Sequence, residues 1–170
     1  MRTRHTDRGT PDPRAPWNEV AAGLWMGGHY WTDALGDGHA AVVGTDFGLV
    51  ISLFSRPGHG PSPGVEHLVA EIPDGPLTAA QLHTVQQLAG AAARAVRAER
   101  TVLVRCNAGY NRSGLVVAQT LVELGWETAT AIEAIRKRRS PSALNNPLFA
   151  EYLATGLAVA QLLVGLETLT

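Results

Sequence analysis

A chain of 170 residues, 45% of them hydrophobic, is long enough for one globular domain with a single core and leaves little length for a second. Its formal net charge of −1 supplies no basic field to hold a nucleic acid or an anionic membrane, which disfavours both as partners. One cysteine, Cys106, rules out an internal disulfide framework and any cysteine-rich zinc site.

Residues 1–16 carry four Arg and three Pro but no Leu, Ile, Val or Phe, so they bury too little apolar area to offset the entropy of ordering. They are expected to form a flexible tail, with a single domain over 17–170. The opening lacks the continuous apolar core of a signal peptide. LATGLAVAQLLVGL near the C-terminus is too short and interrupted to span a bilayer, so the expectation is a cytoplasmic protein. Thirteen Arg against one Lys, Lys137, point to a GC-rich bacterial genome.

Short apolar runs then follow: LWM from Leu24, GLVISLF at 48–54, HLVAEI at 67–72 and TVLVRC at 101–106. Their length and β-branching predict buried strands. SRPGHGPSPG at 55–64, with three Pro and three Gly, predicts a loop able to overhang a cleft. Thr78 followed by Gln81 makes a capping box ahead of Leu82, Val85, Leu88 and Ala92 at helical spacing. A second helix is expected from near Ser113 to Gly125, a third from Thr128 to Arg138, and a last one capped by Asn146 with Pro147 in its first turn. Strands alternating with helices predict an α/β domain, a central mostly parallel sheet flanked by helices.

The informative stretch is TVLVRCNAGYNRSG, a buried strand running through CNAGYNRS directly into a helix. A loop at a helix N-terminus aims unpaired backbone N–H groups into one hollow, which with the helix dipole makes an anion site of phosphate size. Asn107, Ala108, Gly109, Tyr110 and Asn111 would supply that lining, and Gly109 permits the tight curl. Arg112, six residues after Cys106, brings a planar fork suited to two phosphoryl oxygens. A free cysteine is only ~3% thiolate at pH 7, and helix N-termini and neighbouring cations raise that fraction by lowering thiol pKa values. The Ser113 hydroxyl can donate to a departing thiolate. Given Cys106, random placement puts Gly, Arg and Ser/Thr at these offsets roughly once in 1,000.

The segment RCNAGYNRS resembles the signature of the cysteine-dependent protein phosphatases, HCxxGxxR followed by Ser or Thr. An early LWMGG, IPDGPLT before a helix, and NPLF near the end are similar to the small atypical dual-specificity class, over about residues 20–155. The resemblance implies a phosphatase fold with its phosphate loop between strand and helix. It also implies metal-independent phosphomonoester hydrolysis through a cysteinyl-phosphate, without a cofactor, on phosphorylated protein or peptide. Cys106 is then the nucleophile, Arg112 the phosphate clamp, Ser113 the leaving-group helper and Asp74, 32 residues before Cys106, the general acid. Arg105 departs from the pattern, where His is usual; as a permanent cation it could stabilise the thiolate if it points inward.

Other residues invite a plainer reading. Asp46, the rival acid, looks like a surface turn. Asn146 reads first as a helix cap that could also brace the pocket. IRKRRS reads as cations complementing a helix end. The six histidines have no metal-ligand spacing, so no metal is inferred. Tyr110 on the rim would favour phosphotyrosine modestly by stacking, and an uncharged loop disfavours polyphosphorylated inositol lipids. The alternatives are a phosphate-binding pseudophosphatase module with little turnover and a rhodanese-like sulfurtransferase, which would make no use of Asp74. Oligomeric state is not legible.

Overall fold

The computed structural model describes residues 9–169. In chain order its strands are β1 (Trp17–Ala21), β2 (Leu24–Gly27), β3 (Tyr30–Thr32), β4 (Gly38–Ala40), β5 (Leu49–Ser52), β6 (Glu66–Val69) and β7 (Val102–Arg105). The helices are α1 (Ala79–Arg97), α2 (Arg112–Glu123), α3 (Thr128–Arg138), α4 (Pro147–Thr155) and α5 (Leu157–Glu167). The main sheet has the order β1-β2-β7-β5-β6, with β1 antiparallel to β2 and every other pairing parallel. The α/β class and the four apolar runs read from the sequence agree with this sheet. The small β3–β4 hairpin is half-exposed and carries no such run, so nothing in its pattern announced it.

β5 and β7 are buried on both faces, which is why they read as unbroken apolar runs rather than alternating ones. Successive side chains nevertheless go to opposite faces. Leu24, Met26, Leu49, Ile51, Val102 and Val104 enter the main core with the helices. Val50 and Leu103 join a second core with Val43, Phe47 and two tryptophans, Trp17 and Trp25, whose rings meet Phe47 edge-on.

The capping box of α1 forms both bonds: Gln81 N–H donates to Thr78 Oγ1 at 3.1 Å, and Thr78 N–H donates to Gln81 Oε1 at 2.9 Å. α1 buries Leu82, Val85, Leu88 and Ala92, the predicted stripe. Pro147 occupies the first turn of α4, as expected. The last helical stretch is two helices rather than one. Gly156, at φ +93°, takes a backbone that other residues rarely adopt, and α4 and α5 meet at a 112° bend. Among the described residues no single helix is long and apolar enough to cross a membrane.

The N-terminal expectation needs correction. Residues 1–8 lie outside the described residues, but part of the segment 9–16 is docked. Thr32 N–H donates to the Pro13 carbonyl and Gly28 N–H to that of Pro16, so backbone bonds, which composition does not register, hold it.

β7 lies centrally, between β2 and β5, so the chain leaving its C-terminal end is flanked by Gly27–His29 on one side and Leu53–Phe54 on the other. Crevices at the carboxyl ends of parallel strands are where open α/β sheets hold ligands.

The capping box is separate from that crevice. Thr78→Ala should lower stability by about 1 kcal/mol and the melting midpoint by about 2–4 °C, read by thermal unfolding.

Candidate active site

The loop from Cys106 to Arg112 is held from outside by its carbonyls. The Asn107 carbonyl accepts from His29 N–H at 2.7 Å. Those of Ala108 and Gly109 accept from Arg139 Nη2 and Nε at 2.9 and 3.1 Å, and that of Tyr110 from Leu144 N–H at 3.0 Å. In a planar trans peptide the C=O and the next N–H point in opposite directions. Four carbonyls tied outward therefore turn the N–H groups of residues 108–111 inward, the concavity that binds anions. Cys106, Asp74, Ala108, Tyr110, Asn111 and Arg112 line the resulting hollow.

Glycines make that packing possible. A Cβ on Gly28 would lie 2.5 Å from the Asn107 carbonyl oxygen. Gly109, at φ +79°, has the Gly27 carbonyl at the same distance from its missing Cβ.

Arg139 is the residue that sequence reasoning missed. Read as part of a solvated helix end, it instead turns inward just past α3. Besides the two loop carbonyls it donates to the Ala15 carbonyl at 2.8 Å and to Asn18 Oδ1 at 2.9 Å. Burial pulls its pKa down to about 10, against the opposing pull of Tyr110, Cys106 and Tyr30, so it remains a cation at neutral pH. The neighbouring Pro141, which ends the helical pattern, was the available signal: the last arginine before a helix break is free to leave the helix direction.

Cys106 is 2% exposed, and its Sγ lies 3.3 Å from Ser113 Oγ. The thiol donates in that pair; when the sulfur is a thiolate the hydroxyl donates instead. Arg112 packs its guanidinium over the Phe54 ring at 5.3 Å and makes one long bond, Nη1 to the Ile72 carbonyl at 3.4 Å. Its buried Nε has no hydrogen-bond partner.

Asp74 is brought to the same hollow. Asn146 Nδ2 donates to its Oδ1 at 2.8 Å and Asn111 Nδ2 to its Oδ2 at 3.1 Å. Asn146 does two jobs, since its own Oδ1 caps α4 by accepting from Leu148 N–H at 3.0 Å. Asn111 Oδ1 in turn accepts from Asn146 N–H at 2.9 Å, which links the 106–112 loop, the Asp74 loop and helix α4. Asp46 is exposed and accepts from Gly44 N–H at 3.1 Å, a surface turn as expected.

Two expectations are corrected. Tyr110 is 4% exposed, and its hydroxyl donates to the Pro11 carbonyl at 2.8 Å, so its ring is not a rim platform for an aryl group. Arg105 does not face the thiol. It lies on the sheet face opposite the helices, where Nε donates to Ser52 Oγ at 2.9 Å, Nη1 to the His59 carbonyl at 2.8 Å and Nη2 to the Gly60 carbonyl. Strand alternation puts Val102 and Val104 against the helices and Leu103 and Arg105 away from them. With no carboxylate among these partners, burial pulls its pKa down to about 10.

His29 completes the anchorage of this loop. Its Nε2 lies 2.7 Å from the Phe54 carbonyl, which only accepts, so Nε2 carries the proton. Nδ1 is then the acceptor for His59 Nδ1–H at 3.2 Å. Burial above all, with repulsion from Arg105, His59 and Arg56, pushes its pKa down to about 4 despite the Phe54 bond.

No protein-family model and no curated protein sequence matches the chain. Among solved structures, human DUSP28 is similar over 85% of this chain and 95% of its own, with a TM-score of 0.65 and 29% identity. The structural neighbours are dual-specificity and tyrosine phosphatases, which supports the cysteine-dependent phosphatase superfamily and its atypical dual-specificity type. A mouse candidate dual specificity phosphatase complexed with zinc tungstate matches over 94% of this chain and 98% of its own, at TM-score 0.56 and 25% identity. OH1 from the Orf virus, a tyrosine phosphatase with triple substrate specificity, shares the fold at TM-score 0.60 and 19% identity, over 87% of this chain and 91% of its own.

If Arg139 sets the phosphatase loop, Arg139→Met should weaken tungstate binding by about tenfold or more in calorimetry and lower the melting temperature, because buried carbonyls lose their donor. A second outcome follows from His29. Its folded pKa lies below the ordinary 6.5, so between those values the unfolded chain binds the proton more readily. Stability should hold above pH about 6.5 and fall as pH drops toward 4. His29→Gln should flatten that slope in thermal melts; His67, also lowered by burial, preserves a remainder.

Proposed function

We propose that the protein hydrolyses phosphomonoesters on phosphorylated protein or peptide through a cysteinyl-phosphate, with no metal in the step. The observation that carries this reading is the inward-facing N–H hollow with Cys106 and the unpartnered Arg112 Nε beside it. A phosphoryl group supplies the acceptor that buried N–H lacks, and removing an unpaired polar group from water otherwise costs about 1–3 kcal/mol.

The Cys106 thiolate attacks phosphorus while the ester P–O bond breaks, and Asp74, protonated at this stage, delivers its proton to the leaving oxygen. Loop amides and the Arg112 fork hold the three equatorial oxygens, over which the transition-state charge is spread. Water then attacks the phosphorus, its proton goes to the Asp74 carboxylate, and the P–S bond breaks. Ser113 donates its hydroxyl proton as a hydrogen bond to the departing thiolate. Asn111 and Asn146 are positioning residues in both halves, since they hold the two oxygens of Asp74. A sulfurtransferase reading leaves this carboxylate and its two amide partners without a task. The mouse neighbour is complexed with zinc tungstate, and tungstate is a tetrahedral oxyanion of the phosphate type.

Hydrolysis of a series of aryl phosphates, with chelator present throughout, tests the reading. Wild type should be active and Cys106→Ser inactive. Asp74→Asn should slow poor leaving groups by roughly 10²–10⁴-fold and good ones far less. Activity that survives Cys106→Ser, or equal slowing across the series, would sink the mechanism.

A further inference from the structure

The hollow holds a cation for one phosphate, Arg112; a second, Arg56, stands at its rim. Arg56 is exposed, and its Nη2 lies 3.4 Å from the Oδ1 of Asn107, the residue next to the nucleophile. Its guanidinium lies over the Phe54 ring at 5.7 Å, and that of Arg112 over the same ring at 5.3 Å. The two cations are therefore at most ~11 Å apart, the reach of about three residues of extended chain. Among the described residues Arg56 has no carboxylate partner.

The loop that carries Arg56 is fixed from below. Arg105 holds the carbonyls of His59 and Gly60, and His59 N–H donates back to the Arg56 carbonyl at 3.3 Å. The His59 ring is tied to His29, whose backbone N–H holds the phosphate loop at Asn107. An arginine stacked on an aromatic face over such a base is preorganised, so little conformational freedom is lost when an anion meets it.

We propose that Arg56 forms a second anion subsite beside the catalytic pocket, selecting phosphorylated peptides that carry another negative group within three residues of the phosphate cleaved. That group is a carboxylate or a second phosphate. The inference rests on the phosphatase reading. A single rim cation suits one further anion. A polyphosphorylated inositol headgroup presents several, and the loop between Cys106 and Arg112 contains no charged residue to meet them.

The test compares matched phosphopeptides with neutral, acidic or basic residues at positions −3 to +3, and one with a neighbouring phosphate, against wild type, Arg56→Gln and Arg56→Glu. Specificity constants are read on the active enzyme and dissociation constants on Cys106→Ser. At low salt wild type should favour the best acidic peptide over the neutral one by about fivefold, a preference that shrinks as salt screens it. Arg56→Gln should bring the ratio near one and Arg56→Glu should reverse it. Equal binding and turnover of acidic and neutral peptides overturns the subsite while leaving the phosphatase reading intact. Absence of turnover with the acidic preference retained in binding overturns the hydrolase and keeps the subsite. A soluble polyphosphorylated inositol headgroup or its lipid as the best substrate overturns the peptide assignment.

Discussion

The site depends on the direction of four peptide carbonyls. Each is taken by a donor outside the loop, and all four bonds come from groups far away in sequence: the N–H of His29, the fork of Arg139 and the N–H of Leu144. Without them, nothing in the sequence CNAGYNRS would prevent a carbonyl from turning into the hollow, where its partial negative charge would oppose both a phosphate and a thiolate. One guanidinium satisfies two adjacent carbonyls because its donors are coplanar and spaced for such a pair; the ammonium of a lysine has no such fork. The same fork reaches Ala15 and Asn18, so the docked N-terminal segment and the phosphate loop share one anchor.

Replacement of the usual histidine by Arg105 reads differently once the sheet faces are known. A cation beside a nucleophile in sequence invites an electrostatic role, yet period-two alternation sends it to the far face. There it meets neutral acceptors only: a serine hydroxyl and two carbonyls of the glycine- and proline-rich loop. Such a loop has few side chains able to pack, so a buried side chain with several donors is an effective way to fix its backbone. Its carbonyls would otherwise be desolvated without partners.

Much of this was legible in advance, for identifiable reasons. Apolar runs bounded by turn residues marked the four parallel strands, and local chemistry marked the α1 and α4 caps. Cys106, Arg112 and Ser113 stand within eight residues, so one loop and one helix turn bring them together whatever the rest of the chain does. Asp74 came from the family resemblance; Asn111 was legible as pocket lining and Asn146 as a cap able to brace the pocket, but not their bonds to Asp74, which span separations of 37 and 72 residues. Arg139 and Tyr110 were misread for a related cause. The outward or inward direction of a side chain on a loop or just past a helix end is decided by what packs there, and periodicity carries no information at such positions. The break at Gly156 was missed because the flanking residues are apolar on both sides and only the backbone angle separates the helices.

The connection from Asn111 through Asp74 to Asn146 gives the Asp74 loop a different character from a free lid. Gly75 and Pro76 border the carboxylate, and a loop of that composition invites a picture of closure upon substrate. Here the carboxylate already accepts one amide from the phosphate loop and another from the cap of α4. Asn146 cannot let go of Asp74 by rotating its amide without also disturbing the cap bond to Leu148, because both groups of that amide are engaged. Opening the Asp74 loop therefore breaks two hydrogen bonds, each worth roughly 0.5–1.5 kcal/mol. Asp74 is thus held in the hollow beside Cys106 by the same side chains that begin helix α4 and end the 106–112 loop.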